Sequence, residues 1–330
     1  MKLQLDSPLI ETVRTPRTHR IPKEIILQVM IFFGIFAMMQ FAEMVVMLVF
    51  LWDSFMEWSM ELAQQVEAGA VIDQQEFTDK LYALMTEPVN LAFSLLSTGA
   101  GTIFVLLYCR IVEGRKLYTL GFNKKHAFAQ YGIGLLAGFV SFAAVVGISF
   151  LCGGLRFNEF RGQFTGTLLL IFVGYLIQGM SEEVICRGFM MTSTLRHHNV
   201  WWAVGINSVF FGIFHAANNG FSAFALLNLI LYAAVASLYV LRTNNLWGAC
   251  AFHSIWNFAQ GNFFGLPVSG MDSGDTIFSM SLNGSSILNG GAFGLEASIA
   301  TTIVMGIWIA VLLFVPNPFT DKEKETVQAA

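Results

Sequence analysis

Residues 168–187 read LLLIFVGYLIQGMSEEVICR. From Leu168 to Met180 there is no charge; then Glu182, Glu183 and Arg187 follow within six positions. On an insertion scale, one charged side chain at the centre of a membrane helix costs roughly 2.5–3.5 kcal/mol. Three such groups persist together only where they are paired, wetted or used. The stretch therefore predicts a membrane span that ends in a polar site.

Composition agrees with a membrane solvent. The chain has 330 residues, 55% hydrophobic and 12% charged, with a mean hydropathy of +0.62. Soluble domains run near about 25% charged, so a polytopic membrane protein is expected. The net charge of −4 carries no basic stripe, which argues against a nucleic-acid partner. Cys109, Cys152, Cys186 and Cys250 lie in or beside apolar runs without metal-type spacing and read as small buried hydrophobes. The first apolar run begins after a 24-residue polar head and lacks a small-residue cleavage site, so no cleavable signal peptide is expected.

Taken outward, the pattern gives an all-α polytopic bundle of about eight transmembrane helices. The expected spans are 25–51, 89–108, 131–151, one from Leu168, 201–216, 221–241, 246–264 and 297–315, with Pro316 and Pro318 ending the last. The chain divides into a cytoplasmic head (1–24), two spans with an acidic excursion at 53–87 (25–109), a core (110–264), a Gly/Ser/Asn-rich loop (265–296), and a last span with its tail (297–330). Glu43 interrupts the first span and is expected at the membrane interface, with the span ending near residue 42. The excursion holds eight acidic residues against Lys80 and reads as an amphipathic, water-exposed cap with Trp52, Phe55 and Trp58 as surface anchors. Gly134 and Gly138 invite close helix packing. Lys and Arg fall in the head, at 110–125, at 187–198 and at Arg242, which places both termini in the cytoplasm. Short loops suggest a bacterial plasma membrane.

Two further motifs put polar groups on spans. Phe211 and His215 are four apart, as are His253 and Asn257, so each pair shares a helix face. Glu183 and Arg187 can pair in the same way. Counting about 1.5 Å per residue from the turn near His198 and Asn199 puts Glu182 and His215 roughly 24–25 Å up antiparallel neighbours, at one level. His253 starts nearer its own turn and needs helix tilt or a deeper turn to join them. A desolvated carboxylate beside a His can deprotonate water, and a second His with an amide can stabilise an oxyanion. The same Glu182, His215 and His253 could instead hold zinc with an open position for water, although no HExxH signature is present. A non-catalytic cluster of interhelical hydrogen bonds, as in an immunity or scaffold protein, and a proton-coupled carrier are the other readings.

Three motifs in order, Glu182-Glu183-x-x-x-Arg187, Phe211-x-x-x-His215 and His253-x-x-x-Asn257, resemble those of the CAAX-protease and bacteriocin-processing (Abi, CPBP) membrane family. That family includes the type II CAAX prenyl endopeptidases. The stretch from Arg115 to Phe122 is also typical of it, so the resemblance covers roughly residues 110–264. It implies an intramembrane endopeptidase in which Glu182 and His215 activate water while His253 and Asn257 stabilise the oxyanion. Glu183 and Arg187 become supports, with Phe211 beside His215. The implied partner is a membrane-associated peptide or protein, a prenylated CAAX tail in a eukaryote. The implied cofactor is none for a glutamate mechanism and zinc for a metal-dependent one.

Overall fold

A computed structural model describes residues 7–14, 20–69, 73–272 and 274–315. The expected helix stop at Pro316 and Pro318, the charged tail and parts of the head lie outside the described residues. The helices, in order, are α1 (Pro8–Arg14), α2 (Ile25–Phe50), α3 (Trp52–Glu67), α4 (Gln74–Thr86), α5 (Pro88–Ser97), α6 (Gly99–Ile111) and α7 (Ala127–Leu151). Then come α8 (Gly166–Glu183), α9 (Thr192–His197), α10 (Val200–Phe214), α11 (Ala223–Thr243), α12 (Trp247–Phe258), α13 (Ser286–Asn289) and α14 (Ile299–Phe314). A π-helical segment, Val184–Met191, joins α8 to α9, and another, Ala259–Phe263, extends α12.

Five helical stretches are long and apolar enough to cross a membrane: 25–50, 88–111, 127–151, 166–197 and 223–243. The helices at 200–214 and 299–314 are apolar but shorter. The protein is thus an integral membrane protein with a helical bundle at its centre. Helix starts follow local chemistry: the Thr165 hydroxyl accepts from Leu168 N (2.9 Å) at α8, the Asn199 side chain from Trp202 N (3.0 Å) at α10, and Pro88 opens α5.

Close packing centres on α12. A Cβ added at Gly134 of α7 would lie 2.2 Å from the Gly248 carbonyl oxygen, and one at Gly138 2.6 Å from that of Phe252. Across the other face, a Cβ at Gly179 of α8 would lie 2.7 Å from Ser254 N. The small-residue pair expected at Gly134 and Gly138 therefore does let two backbones touch. Gly134→Val is expected to destabilise the bundle by about 1–3 kcal/mol or more, because the clash is with backbone rather than a movable side chain. Denaturant titration in mixed micelles measures it, with Gly132→Val, where a Cβ meets nothing within 4 Å, as the control.

The Arg115–Phe122 stretch has a structural job. Arg115 is fully buried; its Nη1 donates to Glu113 Oε2 (3.1 Å) and Ser193 Oγ (3.1 Å), and its Nη2 to the Thr119 carbonyl (3.1 Å). Burial pushes the Glu113 carboxyl above its ordinary range, and the Arg115 guanidinium opposes that rise. Gly121, at φ 89°, offers its carbonyl to Leu246 N at 2.9 Å. One loop thus ties α9 to the α11–α12 turn and seats that turn against the 117–121 segment.

Two expectations are corrected. The first helix does not end near residue 42: α2 runs to Phe50, and Glu43 faces the interior, where the Ser94 hydroxyl of α5 donates to Oε1. The described part of the head packs on the bundle: Leu9 and Val13 of α1 are fully buried, and Arg14 donates to the carbonyls of Leu195 (3.1 Å) and His198 (2.8 Å). The loops expected at 152–167 and 265–296 are partly ordered as a sheet. Antiparallel β1 (Leu155–Phe160) and β2 (Phe278–Leu282) pair Leu155 with Leu282 and Phe160 with Phe278, with a bulge between Phe157 and Glu159. Their alternation is only five or six residues long, and the Phe157, Phe160 and Phe278 rings close it.

Candidate active site

A cavity of about 350 Å³ opens among α2, α5, α8, α10, α11 and α12. Glu182, His215, His253 and Asn257 all line it. Each comes from a different geometry. Glu182 is the penultimate residue of α8, just before the π-helical segment; His215 caps α10; His253 and Asn257 sit one turn apart on α12.

Glu182 is one-fifth exposed, and Gln178, one turn earlier, donates from Nε2 to its Oε1. Asn257 Nδ2 in turn donates to Gln178 Oε1 at 3.1 Å, so Gln178 bridges the carboxylate and the amide. The other Glu182 oxygen lies 3.8 Å from His253 Nε2, beyond a direct hydrogen bond. Among the described residues His215 makes no hydrogen bond to Glu182; its Nδ1 lies 2.9 Å from the Phe211 carbonyl, which assigns the proton to Nδ1 and leaves Nε2 as an acceptor. The depth count therefore brings Glu182 and His215 to one cavity, while the histidine nearest the carboxylate is His253. It gets there by the deeper turn: the α11–α12 connection is recessed under the 117–121 loop, whereas α9 carries its helix fifteen residues beyond Glu182 to His197.

Behind the cavity wall stands a charged stack. Glu183 is fully buried; its Oε1 receives both Arg187 Nη1 (2.9 Å) and His253 Nδ1 (3.0 Å). The Arg187 guanidinium lies over the Phe211 ring at 4.5 Å from its centroid and over Tyr232 at 5.9 Å. Phe211 reaches His215 as well, with ring centroids 5.0 Å apart. Glu183 thereby holds the His253 proton on Nδ1 and aims Nε2 toward Glu182. Arg187 supplies the countercharge without entering the cavity.

Sequence reasoning passed over four groups here. Gln178 is an amide inside an apolar run, one turn before Glu182, and that spacing was its signal. Tyr232 on α11 is 7% exposed, packs 5.2 Å from the His253 ring, and keeps a hydroxyl without a hydrogen-bond partner among the described residues. Glu43 lines the cavity from α2. Glu296 lines it from the segment before α14, and its Oε2 accepts from Ser269 N (2.6 Å) and Ser269 Oγ (2.8 Å). Burial raises the Glu296 carboxyl above its ordinary range, with the Ser269 bonds and nearby His215 opposing. No local pattern marks Glu43, Tyr232 or Glu296 as companions of Glu182, because helices far apart in the chain bring them together.

A metal fits this arrangement poorly. Among the described residues, no three His, Cys, Asp or Glu side chains converge as a ligand set. Glu182, His215 and His253 surround space rather than a point.

Residues 164–259 match the family model described as Type II CAAX prenyl endopeptidase Rce1-like. The match agrees with the resemblance carried by the three motifs and, at family level, is to CAAX-type proteases. It spans α8 to α12 and includes Glu182, His215, His253 and Asn257; α2, with Glu43, and the segment with Glu296 lie outside it. Comparison with curated proteins gives no match.

Proposed function

We propose that the protein is an intramembrane endopeptidase of the glutamate type, acting on a peptide bond of a membrane-associated peptide or protein, or of a prenylated CAAX tail where the host makes one. The observation that carries this reading is the convergence of Glu182, His215, His253 and Asn257 on one cavity, with their supports held behind it.

Glu182 takes a proton from a water in the cavity, and that water attacks the carbonyl carbon of the scissile bond. His215, with Nδ1 satisfied by the Phe211 carbonyl, presents Nε2 as an acceptor that orients the same water. The developing oxyanion is met by Asn257 Nδ2 and by His253, which becomes a donor at Nε2 when protonated; the Glu183 carboxylate behind it stabilises the imidazolium. Asn257 must first release Gln178, so substrate replaces one hydrogen bond with another. Collapse of the tetrahedral intermediate returns the proton from Glu182 to the leaving amine. This reading routes no step through zinc.

Purified protein is expected to cleave members of a membrane-peptide panel, and Glu182→Ala and His215→Ala to lose cleavage by about two to four orders of magnitude. Cleavage that survives both substitutions overturns these roles. Wild-type activity is expected to be indifferent to chelators; loss with chelator and recovery with zinc would instead support the metal-dependent mechanism.

A further inference from the structure

Glu43 stands in the C-terminal third of α2, and no described part of the site machinery needs it there. A carboxylate on an apolar helix is retained against its insertion cost when it faces a cavity or a partner. Glu43 has both. The Ser94 hydroxyl donates to Oε1 from α5, while Oε2 takes no hydrogen bond among the described residues and is left to the cavity.

The rest of the wall has one sign. Glu43, Glu182, Asp272 and Glu296 line the cavity, and among the described residues no Lys or Arg does. Glu182 is engaged by Gln178, and Glu296 by Ser269. Arg187, the nearest guanidinium, is fully buried against Glu183 and the Phe211 face, so it is not offered to a ligand. Apart from the catalytic groups, Oε2 of Glu43 and the buried Tyr232 hydroxyl are wall atoms with no hydrogen bond among the described residues. The acid-rich 53–87 segment follows directly from the same end of α2. A bound chain with a free carboxylate or acidic side chain beside Glu43 would meet like charge and, among the described residues, no Lys or Arg. One with a basic side chain would meet an acceptor already positioned by Ser94.

Resting on the endopeptidase reading above, we infer that Glu43 is a specificity-determining residue that receives a basic side chain, lysine or arginine, of the substrate segment lying in the cavity. Its carboxylate contacts the substrate but takes no part in the proton transfers. The other carboxylates of the wall favour the same charge.

The test uses the full-length protein in liposomes and N-acetylated, C-amidated apolar peptides, so that a single scanned side chain carries the only charge. In a frame that the wild type cleaves, lysine at the best position is expected to raise kcat/KM about tenfold over norleucine and about a hundredfold over glutamate, mostly through KM. Glu43→Gln is expected to erase the lysine preference and leave norleucine peptides, and the pH–rate profile on them, unchanged. Glu43→Lys is expected to reverse the order, favouring glutamate. Equal cleavage of lysine, norleucine and glutamate peptides by the wild type overturns the inference and leaves the endopeptidase reading standing. So does a Glu43→Gln enzyme whose pH profile moves on every peptide, which would make Glu43 a partner of Glu182 rather than of substrate. Failure to cleave any peptide in an apolar library overturns the endopeptidase reading, and this inference with it.

Discussion

Glu182→Gln is expected to lower kcat at least about a thousandfold while the protein keeps its melting temperature and its elution in detergent. The substitution is nearly isosteric. Its carbonyl oxygen can still accept from Gln178 Nε2, the one direct hydrogen bond Glu182 receives from a neighbouring side chain, so the wall of the cavity keeps its shape. What disappears is the carboxylate that lies next to His253 Nε2 and is bridged through Gln178 to Asn257. An amide cannot take a proton from water at neutral pH, so the step that makes the nucleophile is lost while peptide binding is kept. KM is therefore expected to change by no more than about threefold, which separates this variant from Glu43→Gln. Steady-state cleavage with a matched melting curve measures both. Retained turnover would move the base elsewhere.

The second large effect is on stability. Arg187→Leu is expected to destabilise the bundle by about 3–5 kcal/mol, read from denaturant titration in mixed micelles. Arg187 and Glu183 are both completely buried, and the guanidinium is the countercharge for a carboxylate that also anchors His253. Taking away the cation leaves Glu183 ionised in an apolar interior with only a histidine to compensate, and it removes the plate that fills the space over Phe211. The double variant Glu183→Gln/Arg187→Leu is expected to recover part of the loss, because neither buried charge then lacks its partner. It should nonetheless remain a poor enzyme, since a neutral amide at position 183 no longer stabilises the His253 imidazolium. A fully additive double variant would mean that the pair is not coupled.

How far the sequence could be read depended on the range of the signal. Apolar runs, the four-residue spacing of Glu183 to Arg187 and of His253 to Asn257, and the glycines at 134 and 138 are local patterns, and they carried the helical membrane architecture. The shared level of Glu182 and His215 needed only a short turn between neighbouring helices. Glu43 went astray for an instructive reason: hydropathy treats a lone carboxylate as the end of a span and cannot see that Ser94, fifty-one residues later, is waiting for it. The sheet was missed because neither strand is long enough to show its period, and each is stabilised mainly by the other. Tyr232 was silent because a tyrosine in an apolar helix is unremarkable until its neighbours are known.

The π-helical segment at Val184–Met191 sets a constraint of a different kind. On one side of it, α8 aims Glu182 and Glu183 at the cavity; on the other, Thr192 and Ser193 are held by Arg115. A widened turn holds one more residue than an α-helical turn over the same rise, so it sets the rotational phase between those two ends by about 100°. The length of this stretch thus constrains the site as its side chains do. A one-residue insertion or deletion within it would turn the carboxylates away from the histidines while leaving every residue of the three motifs in the gene.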